Sequence, residues 1–334
     1  MLKFTIRLKL TFSLNKKKKR GSLTGIKPRQ GFLLFIDRET ERLSKQRKPS
    51  TCSNYMTARR SLATFLGGED IAIERVSPTL IEKYSSWLSA RGVCSNTISC
   101  YMRSLRFMYN TAVKRKRTRQ QYPFRNVFTG NEKTRKRALT KDEMKRIEEI
   151  KPADGTFISL ARDIFMFSFY AMGMPFTDIA ALKKSQISNG MITYRRQKTG
   201  QEVKVGIEPC MTKIIKKYSR EDSEYVFPLH NGMHGTAHRA YEKLLNRYNR
   251  ALNAVAEQAG IRGKLTSYVA RHTWASMAYH NNVPLNVISQ AMGHATPRTT
   301  LIYIKELDDR IIMKANRKIL NKINGKTSVQ EVRA

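Results

Sequence analysis

One polar, strongly basic stretch, residues 116–137, separates two regions of this chain that differ in their hydrophobic pattern. The stretch reads KRTRQQYPFRNVFTGNEKTRKR, is interrupted by Pro123 and Gly130, and has too few apolar residues to form a core. Its composition is typical of a linker that can follow a nucleic-acid backbone. Since 334 residues suffice for two domains, we expect one domain on each side of this linker.

The region before the linker has the spacing of amphipathic helices. Its segments GFLLFIDRETERL, TCSNYMTARRSLATFLG, SPTLIEKYSSWLSARG and SNTISCYMRSLRFMYNTAVKRKR each place apolar residues three or four positions apart. Glycines such as Gly92 end these segments, and pairs such as Ser77-Pro78 begin them. The pattern predicts a domain of four helices at residues 28–115.

Residues 1–27 precede that domain as a basic arm. Residues 4–12 alternate apolar with polar or basic residues, which predicts a half-buried strand. The basic run at residues 16–20 that follows has two interpretations, a solvated tail or an arm that binds phosphates.

The region after the linker mixes helices with a small β-structure. Thr140 and Glu143 have the spacing of a capping box, which predicts the start of a helix. Two short strands, MITYRR and EVKVGI, flank a turn and predict a hairpin with Lys198 at its mouth. We expect residues 138–310 to form a second, mixed α/β domain. Residues 311–334 are expected to be an amphipathic tail that packs on its own domain or is exchanged with a neighbouring protomer.

The charge of the chain indicates its partner. There are 63 Lys and Arg residues against 26 Asp and Glu, a net charge of +37, so a polyanion such as DNA is expected. Four cysteines are scattered without metal-ligand spacing, which favours free thiols, no bound metal and a reducing, cytoplasmic location. No apolar run has the length of a membrane span, so no membrane partner is expected.

The stretch from Leu265 to Ile304 carries groups suited to attack on a phosphodiester. Arg271 offers a planar guanidinium that matches two phosphate oxygens. His294 offers a hydrogen-bond donor near neutral pH. Tyr303, nine residues further on, offers an oxygen that can form a covalent intermediate. Each of these residues alone is more often structural, and only their occurrence together indicates chemistry.

Several segments, in order along the chain, resemble the tyrosine recombinases, or phage integrase family. SNTISCYMRSLRFMYNTAV resembles the fourth helix of the family's helical core-binding domain. GMPFTDIAALKKSQI is similar to the segment around its first arginine, and RRQKTGQEVKV to the hairpin that carries its lysine. LTSYVARHTWAS resembles its His-x-x-Arg box, and MGHATPRTTLIYI the box that contains its nucleophile. The resemblance implies a mainly α protein, with a SAM-like core-binding domain and a mixed α/β catalytic domain.

The resemblance also implies a role for each matching residue. Tyr303 would attack a DNA phosphate to form a 3′-phosphotyrosyl link, and Lys198 would protonate the leaving 5′-oxygen. Arg271 would bind the non-bridging oxygens, His294 would hydrogen-bond the phosphate, and Asp178 would support the site without contacting the phosphate. Because the phosphotyrosyl link retains the energy of the broken bond, neither a metal nor another cofactor is expected.

At two positions the chain departs from the family pattern. Pro175 stands where the first catalytic arginine is usual, and proline cannot bind phosphate. Tyr268 stands where the His-x-x-Arg box begins; it can donate a hydrogen bond, but its pKa of about 10 makes it a poor base. We expect another arginine to replace the missing one, with Arg162 as the first candidate and Arg195 or Arg196 as alternatives.

The core-binding domain is expected to contact DNA through its fourth helix. The candidates lie at the start of this helix and on its basic side: Asn96, Thr97, Tyr101, Arg103, Arg106 and Lys114. Solvated helix surface is the alternative interpretation. The resemblance implies double-stranded DNA with inverted-repeat core sites, a monomer when free, a homotetramer on two DNA sites, and room for a DNA-bending host factor.

Two functions stay open at this point. A site-specific recombinase would serve integration or excision of a mobile element, or inversion of a DNA segment. A catalytically impaired DNA-binding homologue is the alternative, because two positions of the usual catalytic set are altered.

Overall fold

The computed structural model describes residues 31–46, 49–132, 134, 137–229, 237–294, 296–301, 316–317 and 319–321. The chain divides into two compact units, Met1–Glu132 and Lys133–Ala334. Three predicted features lie outside the described residues: the strand and basic run of residues 1–27, Tyr303, and most of the tail at residues 311–334.

The first unit contains the four predicted helices. They are α1 (Phe32–Ser44), α2 (Pro49–Phe65), α3 (Pro78–Ala90) and α4 (Ser95–Lys114). Ser77 caps α3, because its side chain accepts a hydrogen bond from the backbone N–H of Leu80. The apolar faces of the helices enclose one core, which includes the buried residues Phe32, Ile36, Ile81, Tyr84, Leu105 and Met108.

Much of the stretch predicted as a linker is packed onto this first unit. Phe124 is 5% exposed and belongs to the core of the unit. The hydroxyl of Tyr109 donates a hydrogen bond to the carbonyl of Arg119, and residues 129–132 hydrogen-bond to side chains of α4. Residues 116–132 are therefore not the predicted free linker but part of the first unit. The buried ring of Phe124 anchors them there.

The second unit combines helices with one small sheet. Its helices are α5 (Lys141–Glu149), α6 (Phe157–Tyr170), α7 (Phe176–Ala180), α8 (Pro209–Tyr218), α9 (Ala237–Gln258), α10 (Val269–His280), α11 (Leu285–Ala291) and α12 (Pro297–Leu301). The predicted capping box of Thr140 and Glu143 is present at the start of α5. Helix α8 has no counterpart among the sequence predictions.

The sheet contains the predicted hairpin. Strands β1 (Ile187–Ser188), β2 (Met191–Arg195) and β3 (Glu202–Gly206) are antiparallel in the order β1-β2-β3. Ile192 pairs with Val205 and Tyr194 with Val203, and all four side chains are buried on one face of the sheet. Lys198 lies in the turn between β2 and β3, as predicted.

Helix α6 forms the centre of the second core and contacts α9 and α10. It is apolar on most of its surface, and Phe165 and Phe167 are fully buried. Thr273 of α10 is also fully buried, and its hydroxyl accepts a hydrogen bond from Leu139 N at 2.9 Å and donates one to Val269 O at 2.8 Å. These contacts fix the helix that carries the arginine predicted to be catalytic.

The observed fold is mainly helical with a small three-stranded antiparallel sheet, which confirms the fold class predicted from the sequence. Among the helices of the described residues, none is both long and apolar enough to cross a membrane.

Thr273→Val should lower the free energy of unfolding by about 1–3 kcal/mol, the cost of a buried N–H that has lost its acceptor. Valine keeps the shape of the side chain but leaves Leu139 N without its partner. Thr273→Ser keeps the hydroxyl and is the matched control. Urea denaturation measures both variants, and a loss in Thr273→Val no larger than that in Thr273→Ser would contradict the prediction.

Candidate active site

The site is organised by the way in which α11 ends. Gly293 has the left-handed φ of +60°. Its N–H donates to Gln290 O, and the N–H of His294 donates to Ser289 O, both at 2.9 Å. This pair of hydrogen bonds is the Schellman ending, which strongly favours glycine. The turn brings the carbonyl of Met292 and the side chain of His294 to a group of buried cations.

Two arginine side chains meet at the carbonyl oxygen of Met292. Nη2 of Arg271 lies 2.6 Å from this oxygen, and Nη1 of Arg196 lies 2.7 Å from it. Arg271 comes from α10 and is 1% exposed, whereas Arg196 follows β2 and is 6% exposed. A Cβ at Gly293 would lie 2.7 Å from Cδ of Arg196, so the glycine also leaves space for this side chain.

The loop between α6 and α7 holds Arg271 through a second carbonyl. Gly173 O accepts a hydrogen bond from Nη1 of Arg271 at 2.7 Å. A Cβ at Gly173 would lie 2.9 Å from the Cα of Arg271, and its φ is +73°, so the position requires glycine for two reasons. Pro175 is the N-cap of α7, and Phe176 stacks on Tyr248 with ring centroids 4.2 Å apart. The loop is therefore anchored without an arginine at residue 175.

Asp178 offsets part of the positive charge. Its Oδ2 lies 3.4 Å from Nε of Arg196, and its Oδ1 accepts a hydrogen bond from the backbone N–H of Gln197 at 3.0 Å. Burial raises the pKa of the Asp178 carboxyl group, while the Gln197 N–H and the charge of Arg196 oppose that increase. The carboxylate thus orients Arg196 and the beginning of the hairpin turn.

His294 is neutral in this arrangement. Its Nε2 lies 2.9 Å from Nη2 of Arg271, and because a guanidinium only donates, Nε2 must be the acceptor. The proton is then on Nδ1, which donates to the hydroxyl of Thr300 at 2.9 Å. Burial, followed by the charges of Arg271, Arg196 and Lys198, lowers the pKa of His294 to about 3.

The remaining predicted catalytic residues have different positions. Lys198 is exposed in the hairpin turn, and its charge contributes to the low pKa of His294. Tyr268 is the N-cap of α10 and is 48% exposed. The structural environment of Tyr303 lies outside the described residues.

Arg162, the first candidate for the missing arginine, makes an ion pair in another cluster. Its Nη1 lies 3.0 Å from Oδ1 of Asp163. Asp163 also accepts a hydrogen bond from Tyr218 at 2.7 Å and pairs with Lys217 at 3.2 Å, which joins α6 to α8. The geometry therefore favours Arg196 over Arg162, since Arg196 shares an acceptor with Arg271.

The predicted DNA-binding residues of α4 have several environments. Three of them hydrogen-bond to residues 129–132: Asn96, Arg103 and Arg106. Of the others, Thr97 contacts Sγ of Cys94, Tyr101 packs against the core, and Lys114 is exposed in the last turn of the helix.

Sequence reasoning missed two parts of the site. Met292 acts through its backbone carbonyl, so its side chain carries no signal. Thr300 is the fourth residue of the five-residue helix α12, and a threonine in so short a segment is easily interpreted as a turn residue. Among the described residues, no group of His, Cys, Asp and Glu side chains is arranged to hold a metal ion.

Comparison with protein-family models accounts for most of the chain. Residues 137–310 match the phage integrase family, and residues 31–128 match the phage integrase SAM-like domain. The chain belongs to the phage integrase family. This result confirms the resemblance seen in the sequence.

Curated relatives of this phage integrase family member are tyrosine recombinases. XerA of Pyrococcus furiosus is 27% identical over 179 residues, which are 52% of this chain and 58% of the relative. XerC of Halalkalibacterium halodurans is 22% identical over 295 residues, 84% of this chain and 93% of the relative. The match to XerD of Rhizobium meliloti, 27% identical over 167 residues, spans 48% of this chain and 51% of that protein. The chain therefore spans little more than half the length of XerA and of this XerD.

Solved structures share the fold at low identity. A lambda integrase(75-356) dimer bound to a core site has a TM-score of 0.63 and 17% identity, and the match covers 82% of this chain and 96% of that one. The Tn1549 transposon integrase in complex with a circular intermediate DNA has a TM-score of 0.60 and 16% identity, with 86% and 99% covered. This phage integrase family member therefore has the fold of those integrases.

The pKa of His294 predicts a pH dependence of stability in this phage integrase family member. An unfolded histidine takes up a proton at about pH 6.5, whereas the folded one does so only at about pH 3. The unfolded state thus binds more protons between these values, so stability should fall as the pH falls from about 6.5 toward 3. His294→Gln does not titrate there and should lose less of its free energy of unfolding.

Urea denaturation at a series of pH values from about 7 downward measures this difference. His280→Gln, which removes an exposed histidine of α10, is the matched control and should follow the wild type. Equal pH dependence in wild type and His294→Gln would show that His294 is not held neutral.

Proposed function

We propose that this protein is a site-specific DNA recombinase that breaks and rejoins DNA through a 3′-phosphotyrosyl intermediate. The observation that carries the proposal is the convergence of Arg271, Arg196 and His294 on one turn of a phage integrase family member. Cations brought together at fixed positions form a receptor for a phosphate group. Tyr303, nine residues after His294, would supply the nucleophile.

In the proposed reaction, the oxygen of Tyr303 attacks the phosphorus as its phenolic proton passes to the surrounding water, and the bond to the 5′-oxygen breaks. Lys198 gives a proton to that oxygen. Arg271 and Arg196 bind the non-bridging oxygens, where negative charge grows in the transition state. A 5′-hydroxyl of the partner strand later gives its proton to Lys198 and attacks the phosphorus of the phosphotyrosyl link. The oxygen of Tyr303 leaves and takes up a proton from water, and the new strands are joined.

His294 has to change its hydrogen bond for this role. Its Nε2 accepts from Arg271 in the free protein, so a hydrogen bond to phosphate requires a proton on Nε2. The negative charge of a bound phosphate favours the protonated form and draws the guanidinium of Arg271 away from the imidazole. Phosphate binding and the protonation of His294 are therefore coupled.

Arg196 is the residue that we propose in place of the missing first arginine. It is buried, its guanidinium lies on the same carbonyl as that of Arg271, and Asp178 orients it. Arg162 is committed to an ion pair with Asp163. We assign Tyr268, which is half-exposed and lies three residues before Arg271, to a hydrogen bond with the DNA rather than to proton abstraction.

The proposed substrate is duplex DNA with inverted-repeat core sites, which fits a net charge of +37. The proposed active assembly is a homotetramer on two DNA sites, formed from free monomers, with a DNA-bending host factor as a further partner. A lambda integrase tetramer bound to a Holliday junction, with a TM-score of 0.62, 16% identity, 92% of this chain and 81% of that chain covered, supports this assembly. The position of the two sites decides whether the outcome is integration, excision or inversion.

Tyr303→Phe should abolish covalent attachment to DNA. A suicide duplex with a phosphorothiolate at the cleavage position traps the intermediate, because the released 5′-thiol rejoins poorly. DNA that flanks the protein's own coding sequence, where the proposal expects the inverted repeats, provides the site. A denaturing gel should show a protein–DNA adduct for the wild type and for the control Tyr279→Phe, and none for Tyr303→Phe.

A catalytically impaired DNA-binding homologue is the second candidate, favoured by Pro175 and Tyr268 at two altered positions. If the wild type binds the repeats without forming an adduct, this second function is correct and the proposed recombinase is not. An adduct that persists in Tyr303→Phe would assign the nucleophile to another residue.

Arg196→Gln should slow adduct formation by about 10²–10³-fold, the effect of removing one donor to a developing oxyanion. Arg162→Gln and the control Arg195→Gln should each reduce the rate far less. Arg195 is adjacent, with a side chain that is 76% exposed, so its variant removes the same charge without removing a buried donor. Single-turnover cleavage by folded variants measures the rates, and a larger loss in Arg162→Gln would restore Arg162 as the second arginine.

A further inference from the structure

The exposed side of α4 holds the segment that follows it in the chain. Four α4 residues at helical spacing, here called the α4 stripe, contact residues 129–132, here called the strap: Asn96, Ser99, Arg103 and Arg106. The spacing of three, four and three residues places them in one row along the helix. The strap therefore runs along α4 rather than away from it.

Two members of the α4 stripe bind the backbone of the strap. The amide of Asn96 accepts a hydrogen bond from Glu132 N at 2.9 Å and donates one to Glu132 O at 3.1 Å. The hydroxyl of Ser99 donates to Gly130 O at 2.5 Å. A Cβ at Gly130 would lie 2.7 Å from the ring of Phe128, so glycine allows the turn that brings this carbonyl to the helix. These contacts fix the path of the strap.

The two arginines of the α4 stripe contact uncharged side chains of the strap. Nη1 of Arg103 donates to the amide oxygen of Asn131 at 2.8 Å, and Nη1 of Arg106 donates to the hydroxyl of Thr129 at 3.0 Å. Each bond uses one of the five N–H groups of a guanidinium. Because an amide and a hydroxyl carry no charge, these two contacts hold the guanidiniums in place without neutralising them.

Other arginines of the same unit form ion pairs with carboxylates. Arg42 and Arg115 both pair with the buried carboxylate of Glu39, at 2.6 and 2.7 Å. Arg59 pairs with Asp37 at 2.8 Å. Two carboxylates therefore compensate much of the charge of these three arginines, whereas no carboxylate of the described residues forms an ion pair with Arg103 or Arg106.

We propose that the α4 stripe and the strap together form a phosphate-binding surface for duplex DNA, in which Thr129 and Asn131 are positioning residues for Arg106 and Arg103. The proposal rests on the proposed function, which makes DNA the partner. A guanidinium whose rotamer is fixed before binding loses less conformational freedom when it contacts a phosphate. The strap thus increases DNA affinity without contributing a positive charge of its own.

The alternative is that the strap covers the arginines and competes with DNA. The two possibilities predict opposite changes when a strap contact is removed. If the strap positions the arginines, Thr129→Val weakens DNA binding, since valine keeps the size of the side chain but loses the oxygen that holds Arg106. If the strap covers the arginines, the same variant strengthens binding.

The experiment measures the binding of a fluorescent duplex of random sequence to the full chain at several salt concentrations, because phosphate contacts do not depend on sequence. Arg103→Gln and Arg106→Gln should each reduce the slope of log K against log salt by about 0.9, the value for one lost phosphate contact. Thr129→Val should weaken binding by about 2- to 12-fold, the range for the loss of one immobilised side chain. Asn131→Asp should also weaken binding, because its carboxylate neutralises Arg103.

Arg59→Gln is the matched control, because it removes the same formal charge from an arginine that Asp37 already compensates; its salt slope should equal that of the wild type. Thermal unfolding checks that each variant is folded. If either strap variant, Thr129→Val or Asn131→Asp, does not fold, Asn131→Ala takes its place. Unchanged or tighter binding by Thr129→Val and Asn131→Asp would overturn the proposal while leaving the proposed function intact. A wild type that binds no duplex would overturn both.

Discussion

The carbonyl oxygen of Met292 is the point on which the site depends. It accepts hydrogen bonds from Arg271 at 2.6 Å and from Arg196 at 2.7 Å, and so holds together two like charges that repel each other. The turn that presents this oxygen forms because Gly293 ends α11 with a left-handed φ. A helix end carries partial negative charge, which suits two cations. The local backbone and the arrangement of the two arginines therefore have one cause.

The same concentration of charge explains the state of the neighbouring histidine. A protonated His294 would place a third cation beside Arg271 and Arg196, so the imidazole stays neutral and accepts a hydrogen bond. Asp178 offsets only part of the positive charge. The remaining excess of positive charge is repulsive in the free protein, and in the proposed function a bound phosphate relieves it. The repulsion between the arginines and the proposed affinity for phosphate thus have the same origin.

Much of this arrangement could be predicted from the sequence, and the features that could not be predicted share a reason. Local signals predicted the α4 start, the capping box at Thr140 and the hairpin around Lys198, because each depends on residues close in sequence. The choice between Arg162 and Arg196 depends on which side chain reaches a carbonyl almost a hundred residues away, and no local pattern encodes that distance. The sequence around Phe124 is interpreted as a linker for the same reason. The core that buries the ring of Phe124 is formed by residues distant in sequence and is visible only in the folded unit.

The proline at residue 175 fits this account. Phosphate binding requires a guanidinium at a position in space, and the element that supplies it is not fixed by the chemistry. Here the loop before α7 keeps a structural task, because Gly173 O orients Arg271, while Phe176 anchors the loop on Tyr248. Arg196 approaches the shared carbonyl from the hairpin instead. A loop that positions one arginine through its backbone can lose its own arginine without losing its shape, provided that another element brings a cation to the same oxygen.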